Sequence, residues 1–101
     1  MATELIHVGF GNVLAVNRVI AIMAPNSAPT KRLVQESKSK GLTVDMTSGR
    51  RTKAVLVMDD GHIVLAAITP ETITGRVLSY RQAVHNARAG ANAHGDAADD
   101  E

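Results

Sequence analysis

Two apolar runs, Ala54-Val55-Leu56-Val57-Met58 and His62-Ile63-Val64-Leu65-Ala66-Ala67, are separated only by Asp59-Asp60-Gly61. Short runs rich in Val, Ile and Leu read as strands, and an Asp-Gly tip between two of them is a strong hairpin signal. A hairpin of this kind commits the chain to a sheet. The first strand is expected over Arg51 to Met58. By the two-residue period Arg51, Lys53, Val55 and Val57 share a face, which puts two cations at the polar end of a buried element.

The remaining punctuation fills in the sheet. Leu5 to Phe10 reads as a strand broken by Gly11-Asn12, since both of those residues tolerate positive φ. Asn17 to Met23 reads as a second strand ended by Pro25, and its near-continuous apolar character asks for cover on both faces or for contact with another subunit. Ser27 with Pro29 opens a helix that should run to about Lys40 and stop at Gly41. Its apolar stripe is thin, mainly Ala28, Leu33 and Val34. Leu42 to Met46 is a short strand. Thr69-Pro70-Glu71 opens a second helix, with Ile73, Val77, Tyr80 and Val84 as its stripe and Leu78 at the edge, running to about Ala87. The fold class is therefore α/β of the α+β type: one small domain, residues 1–88, with a mainly antiparallel sheet of about five strands and two helices. Residues 89–101, rich in Ala, Gly, Asn and Asp, are expected to form a disordered acidic tail.

Charge is segregated along the chain. Residues 1–95 hold all eleven Lys and Arg against six of the ten acids, a balance of +5, while the last six residues hold the other four acids. A basic body points to a polyanion partner. The candidate contacts are Arg50 and Arg51 with Lys53, held by a stiff element. Arg18 joins them if the strand ends converge, and Lys31 and Arg32 lie in the first helical turns, where they oppose their own helix dipole. Arg carries a planar fork of donors suited to phosphate or a guanine edge. The same residues also read as a solvated surface. The tail reads either as a solvating segment or as one that folds back on the basic rim and competes with its ligand.

Other chemistries find little support. Cys is absent, so disulfides, thiolate nucleophiles and Cys-ligated zinc are excluded. His7, His62, His85 and His94 show no metal-ligand spacing, and no Ser sits in a nucleophile elbow, so the chain is expected to be no enzyme, with no cofactor, metal or small-molecule substrate. Gly9-Phe10-Gly11-Asn12 reads as a tight turn before it reads as a phosphate nest. Only Phe10 and Tyr80 are aromatic, which argues against stacking of single-stranded RNA. Without a signal-like N-terminus or a run long enough for a bilayer, a soluble cytoplasmic protein is expected.

Taken together, Gly9-Phe10-Gly11-Asn12, Asn17-Arg18, Ser27-Ala28-Pro29 with Lys31-Arg32, Gly49-Arg50-Arg51-Thr52 and Pro70-Glu71-Thr72 resemble the RemA family, small bacterial regulators of extracellular matrix genes. The resemblance covers roughly residues 4–80 and finds no counterpart for the Ala/Asp tail. It implies a DNA-binding, nucleoid-associated transcriptional regulator without enzymatic activity. It also implies closed head-to-tail rings of identical subunits, with double-stranded DNA running along a basic rim. The family's DNA-contacting arginines fall on Arg18, Arg50 and Arg51, all retained. The rival expectation is an oligomeric interaction protein that pairs its arginines with an acidic protein partner.

Overall fold

The structure, a computed structural model, describes residues 4–94, and the side chains of residues 4–89. Six strands and two helices follow one another along the chain: β1 (Leu5–Gly9), β2 (Asn12–Ala15), a 3-10 turn (Val16–Arg18), β3 (Val19–Met23), α1 (Ala28–Ser39), β4 (Thr43–Met46), β5 (Ala54–Met58), β6 (Ile63–Ala66) and α2 (Pro70–His94). The expected mixed fold of strands and two helices is present, with the strands divided between two sheets.

The hairpin that dominates the sequence sits at the centre of the larger sheet, ordered β3-β5-β6-β4. β5 pairs antiparallel with β6 and with β3, while β4 pairs parallel with β6. Alternation along β5 feeds two cores, because successive side chains point to opposite faces. Ala54 and Leu56 join Val64, Ala66, Ile73, Val8 and Leu14 on one face. Val55 joins Ile63 and Leu65 on the other, under Leu33 and Val34 of α1. The sheet is thus covered by α1 on one side and by the β1–β2 hairpin and α2 on the other. Full burial of side chains such as Leu56, Ile73, Val8 and Val55 contributes about 1.5–3 kcal/mol each.

The helix signals are realised where they were read. Ser27 caps α1, its Oγ accepting from the Thr30 amide at 3.3 Å. Gly41 stands just past the helix end with φ 71. Thr69 Oγ1 accepts from the Thr72 amide at 3.2 Å and caps α2. The thin stripe of α1 is supplemented by the buried hydroxyls of Thr30 and Ser37, and Ser37 Oγ donates to the Val34 carbonyl at 2.8 Å. Ala28, expected in that stripe, is exposed.

Several expectations are corrected. Residues after the Gly11 break do not leave the sheet: β2 returns against β1 as a hairpin, with Asn12 Nδ2 donating to the Met46 carbonyl at 3.1 Å. Arg18 does not open a strand but closes the 3-10 turn. Arg51, Thr52 and Lys53 lie ahead of β5 and not within it, although the Lys53 amide still donates to Ala66 at 2.8 Å. α2 continues to His94, well past Ala87. Ala87, Ala89, Ala91 and Ala93 carry the best helix propensity of any residue, enough to extend a helix without an apolar stripe. The expected tail therefore begins as helix at residues 89–94, and residues 95–101 lie outside the described residues.

Candidate nucleic-acid interface

Strand direction decides which cations can act together. In the β3–β5 ladder Val19 faces Met58 and Met23 faces Val55. The residues before β3 therefore lie at the end of the sheet where β5 finishes, and the residues before β5 lie at the end where β3 finishes. Arg18 belongs to the first end and Arg50, Arg51 and Lys53 to the second, separated by the five residues of β5, roughly 15 Å of strand. The convergence that would bring Arg18 to Arg50 and Arg51 does not occur within the chain.

Arg18 is occupied as well as remote. Its Nε donates to Asp59 Oδ2 at 2.7 Å, and the Asp59 amide donates to the Arg18 carbonyl at 2.8 Å. The Asp59 carboxylate, by hydrogen bond and by charge, raises the Arg18 guanidinium above its already high value. The local reason is the hairpin tip: Asp59 is the first residue after β5, and the antiparallel register delivers it to the start of β3. His62 and Asp60 occupy the same tip. The His62 amide donates to Asp60 Oδ1 at 3.1 Å and the ring Nδ1 lies 2.8 Å from Oδ2. These bonds, the backbone one first, lower the Asp60 carboxyl below the usual carboxylate range. His62 lines an open groove with Arg18, Asp59, Val13, Val44 and Met58, but no Ser, Thr or Cys lines it. The His62–Asp60 contact belongs to the hairpin turn.

The opposite end gathers the other cations. Arg51, Thr52 and Lys53 line a groove of about 270 Å³ with Asn26, Thr69, Pro70 and Glu71. Both helices start there, α1 after Ser27 and α2 after Thr69. Helix N-termini carry positive partial charge and free amides, so they add to the field of the arginines. A second groove on the same strand loop is lined by Thr52, Val55, Lys31 and Lys38, and it connects Lys31 to this end. Arg32 is exposed on α1 and lines neither groove. Among the described residues no carboxylate lies within 4.0 Å of Arg50, Arg51, Lys53, Lys31 or Arg32; the ion pairs are Arg18–Asp59, His62–Asp60 and Arg81–Glu4. Arg76 is also tied down, its Nη1 donating to the His7 carbonyl at 2.9 Å. Arg76 and Arg81 thus tie α2 to the β1 segment, whereas Arg51, Lys53 and Lys31 make no ion pair among the described residues.

Arg50 has a partner of another kind. Its Cζ lies 3.8 Å from the centre of the Phe10 ring, an arrangement worth about 0.5–1 kcal/mol at an exposed site. Phe10 sits at the β1–β2 turn with φ 56, between Gly9 and Gly11 at φ 99 and 82. A left-handed bulky residue costs about 1–2 kcal/mol, so the turn is not explained by the stack alone. The loop that delivers Arg50 is similarly shaped: Asp45 Oδ1 accepts from the Thr47 amide at 2.9 Å and the Thr47 hydroxyl at 2.6 Å. Ser48 and Gly49 then turn through φ 54 and 79, and the Arg50 amide donates back to Thr47 at 3.0 Å. The Thr47 hydroxyl, then its amide, hold the Asp45 carboxyl below its ordinary value. Phe10 was legible in the sequence only as one of two aromatics, flanked by glycines; nothing there linked it to Arg50.

Among the described residues no three His, Cys, Asp or Glu side chains are placed to hold a metal ion, and no helix is long and apolar enough to cross a membrane.

Comparison with known proteins agrees with the motifs. A protein of Dehalococcoides mccartyi strain BAV1, named "Putative regulatory protein", is 66% identical over 77 residues, covering 76% of this chain and 80% of that protein. A Synechococcus elongatus protein of the same description is 54% identical over 81 residues, 80% of this chain and 93% of its own length. One from Desulforudis audaxviator, also so named, is 42% identical over 96 residues, 95% of this chain and 96% of its own. The last alignment runs into the Ala/Asp segment. Residues 5–77 match the family model described as RemA-like, extracellular matrix regulatory protein A-like, and the chain belongs to that RemA-like family.

Proposed function

We propose that the protein is a DNA-binding transcriptional regulator of the extracellular-matrix type. In this reading it is nucleoid-associated and carries no catalytic activity. Double-stranded DNA is held against the end of the sheet that carries Arg50, Arg51, Lys53 and Lys31. The observation that carries the reading is the gathering of Arg50, Arg51, Lys53 and Lys31, none within 4.0 Å of a carboxylate among the described residues, at the end where both helices start, while Arg18, Arg81 and Arg76 are engaged by Asp59, Glu4 and the His7 carbonyl. Glu71 lines the same groove but forms no ion pair there among the described residues, so the cations outnumber the acid, and such a surplus on a rigid scaffold suits a polyanion.

One subunit offers few phosphate contacts, so the reading includes self-association. β3 and β4 are the two edges of the larger sheet, and their apolar surfaces differ. Beside β3, Ile20 is 67% and Leu78 is 63% exposed. Beside β4, Val44 lines a groove with Val13, Met46 and Met58. Two unlike apolar edges favour a head-to-tail contact, which closes to a ring if its rotation permits. A ring copies the cationic end at regular spacing and turns weak contacts into strong ones. Arg18, held by Asp59 at the other end of the ladder, enters this reading only if the assembly brings it to the DNA from a neighbouring subunit.

The test is a mobility shift of the full chain on a bendable duplex across a salt series. Neutralising Z phosphates gives a slope of about −0.9Z in log K against log salt. A steep negative slope supports the reading. A flat response overturns it in favour of an oligomer that pairs its arginines with an acidic protein.

A further inference from the structure

Two strained turns among the described residues meet at a single side-chain contact. Among the described residues only Phe10 and Ser48 are non-glycine residues with positive φ, at 56 and 54. They lie in loops far apart in sequence, and the Phe10 ring and the Arg50 guanidinium that these loops present are 3.8 Å apart. Backbone held in a sparsely populated region persists where its surroundings over-determine it, and such residues cluster at binding sites. The surroundings here are one segment. Asn12 Nδ2 donates to both Gly9 at 3.2 Å and Met46 at 3.1 Å, which ties the hairpin tip to β4. Asp45 and Thr47, on either side of Met46, shape the loop that ends at Arg50. Gly9 packs so close to Ile68 that a Cβ there would lie 3.2 Å from its Cγ2.

Burial does not account for the arrangement. Phe10 is 46% exposed and adds nothing to either core cluster. We infer that Phe10 is a positioning residue: its ring fixes the Arg50 guanidinium so that the donor fork is presented outward to a phosphate of the bound nucleic acid. This rests on the functional reading given above. The chemistry favours an aromatic for the task. The negative face of the ring holds a cation without using its N–H donors, whereas a carboxylate partner such as Asp59 on Arg18 takes them up. A long Arg side chain otherwise loses rotamer freedom when it binds, and ordering it in advance lowers that cost.

The experiment compares the full-length wild-type chain with Phe10→Leu, Phe10→Tyr, Arg50→Ala and the Phe10→Leu/Arg50→Ala double variant. Duplex affinity is measured at fixed salt, and the Arg50 Nε–H signal is followed by NMR in the free protein. Leu keeps bulk and Cβ but has no π face. The expected result is a roughly 2- to 5-fold loss of affinity for Phe10→Leu, corresponding to the strength of an exposed cation–π contact. Phe10→Tyr should bind as wild type does. Phe10→Leu should cost nothing further when Arg50 is already Ala, the mark of residues that act as a pair. The Arg50 signal should be displaced by the ring current in wild type and Phe10→Tyr and return to the ordinary Arg position in Phe10→Leu. Wild-type binding with an equally competent Leu variant overturns the inference and leaves the functional reading standing. An undiminished Leu effect in the Arg50→Ala background also overturns it, because the ring itself then touches the nucleic acid. A wild-type chain that holds no duplex at any salt overturns both.

Discussion

Arg18 and Arg51 stand at opposite ends of one antiparallel ladder, Arg18 beside Met58 and Asp59, Arg51 just ahead of Ala54. Two arginines that the sequence offers as a cluster are thus divided by the length of a strand, and only one of them is paired to an acid. The consequences separate cleanly by experiment.

Arg51→Ala should remove most duplex retention at moderate salt. It should also make the salt slope shallower by about 1 for each phosphate that the variant no longer neutralises. The particle mass and the thermal midpoint should stay at wild-type values, because Arg51 is exposed and touches no acid among the described residues. Loss of assembly in this variant would make the residue structural.

Asp59→Asn and Arg18→Ala should behave alike in stability. Each breaks the same exposed ion pair, so each should shift the thermal midpoint slightly, and the shift should fade as salt rises. Neither should reproduce the binding loss of Arg51→Ala within an isolated subunit. A binding defect for Arg18→Ala confined to the assembled particle would place Arg18 at a junction between subunits.

How far these relationships could be read in advance depended on their range. Local chemistry was legible: Ser27 and Thr69 cap the helices, Gly41 ends α1, and Asp59-Asp60-Gly61 turns between β5 and β6. Strand partners were not, because pairing depends on register across distant segments and not on composition. Arg18 joins Arg51 only if the strand ends converge, since both precede apolar runs; the antiparallel β3–β5 pairing reverses one of them. β2 was missed because Val13-Leu14-Ala15 is too short to carry a period. The Phe10–Arg50 stack depends on two positive-φ turns meeting through Met46, which no pattern in either segment announces.

Gly9→Ala should destabilise the fold by about 1–2 kcal/mol, the cost of a left-handed backbone for a residue with a Cβ. Gly9 has φ 99, and the added Cβ would crowd Ile68 at 3.2 Å. Urea unfolding measures the change. Gly61→Ala, whose φ is 94 but whose Cβ would meet nothing within 4 Å, is the control for backbone strain alone and should cost no more than Gly9→Ala.

Acid should loosen the Arg50 loop before it unfolds the protein. Asp45 is held below its ordinary value by the Thr47 hydroxyl and amide. Its folded-state value is therefore lower than its unfolded one. The contribution is complete above the ordinary carboxylate range and is lost as pH falls through the depressed folded value. Protection of the Thr47 and Arg50 amides, measured against their intrinsic exchange rates at each pH, should fall over that acid interval, and Asp45→Asn should show the lowered protection already at neutral pH.

The central claim is that Arg50 and Arg51 form the anion-facing end of a subunit that is copied in a self-assembled particle. Sedimentation of the full chain with and without a DNA duplex, beside Arg50→Ala/Arg51→Ala, tests it most directly. The free protein should sediment as a multiple of 10.7 kDa and gain the mass of a duplex, while the double variant keeps the same free mass and gains nothing. A monomer that ignores DNA, or a double variant that still carries the duplex, would contradict the account.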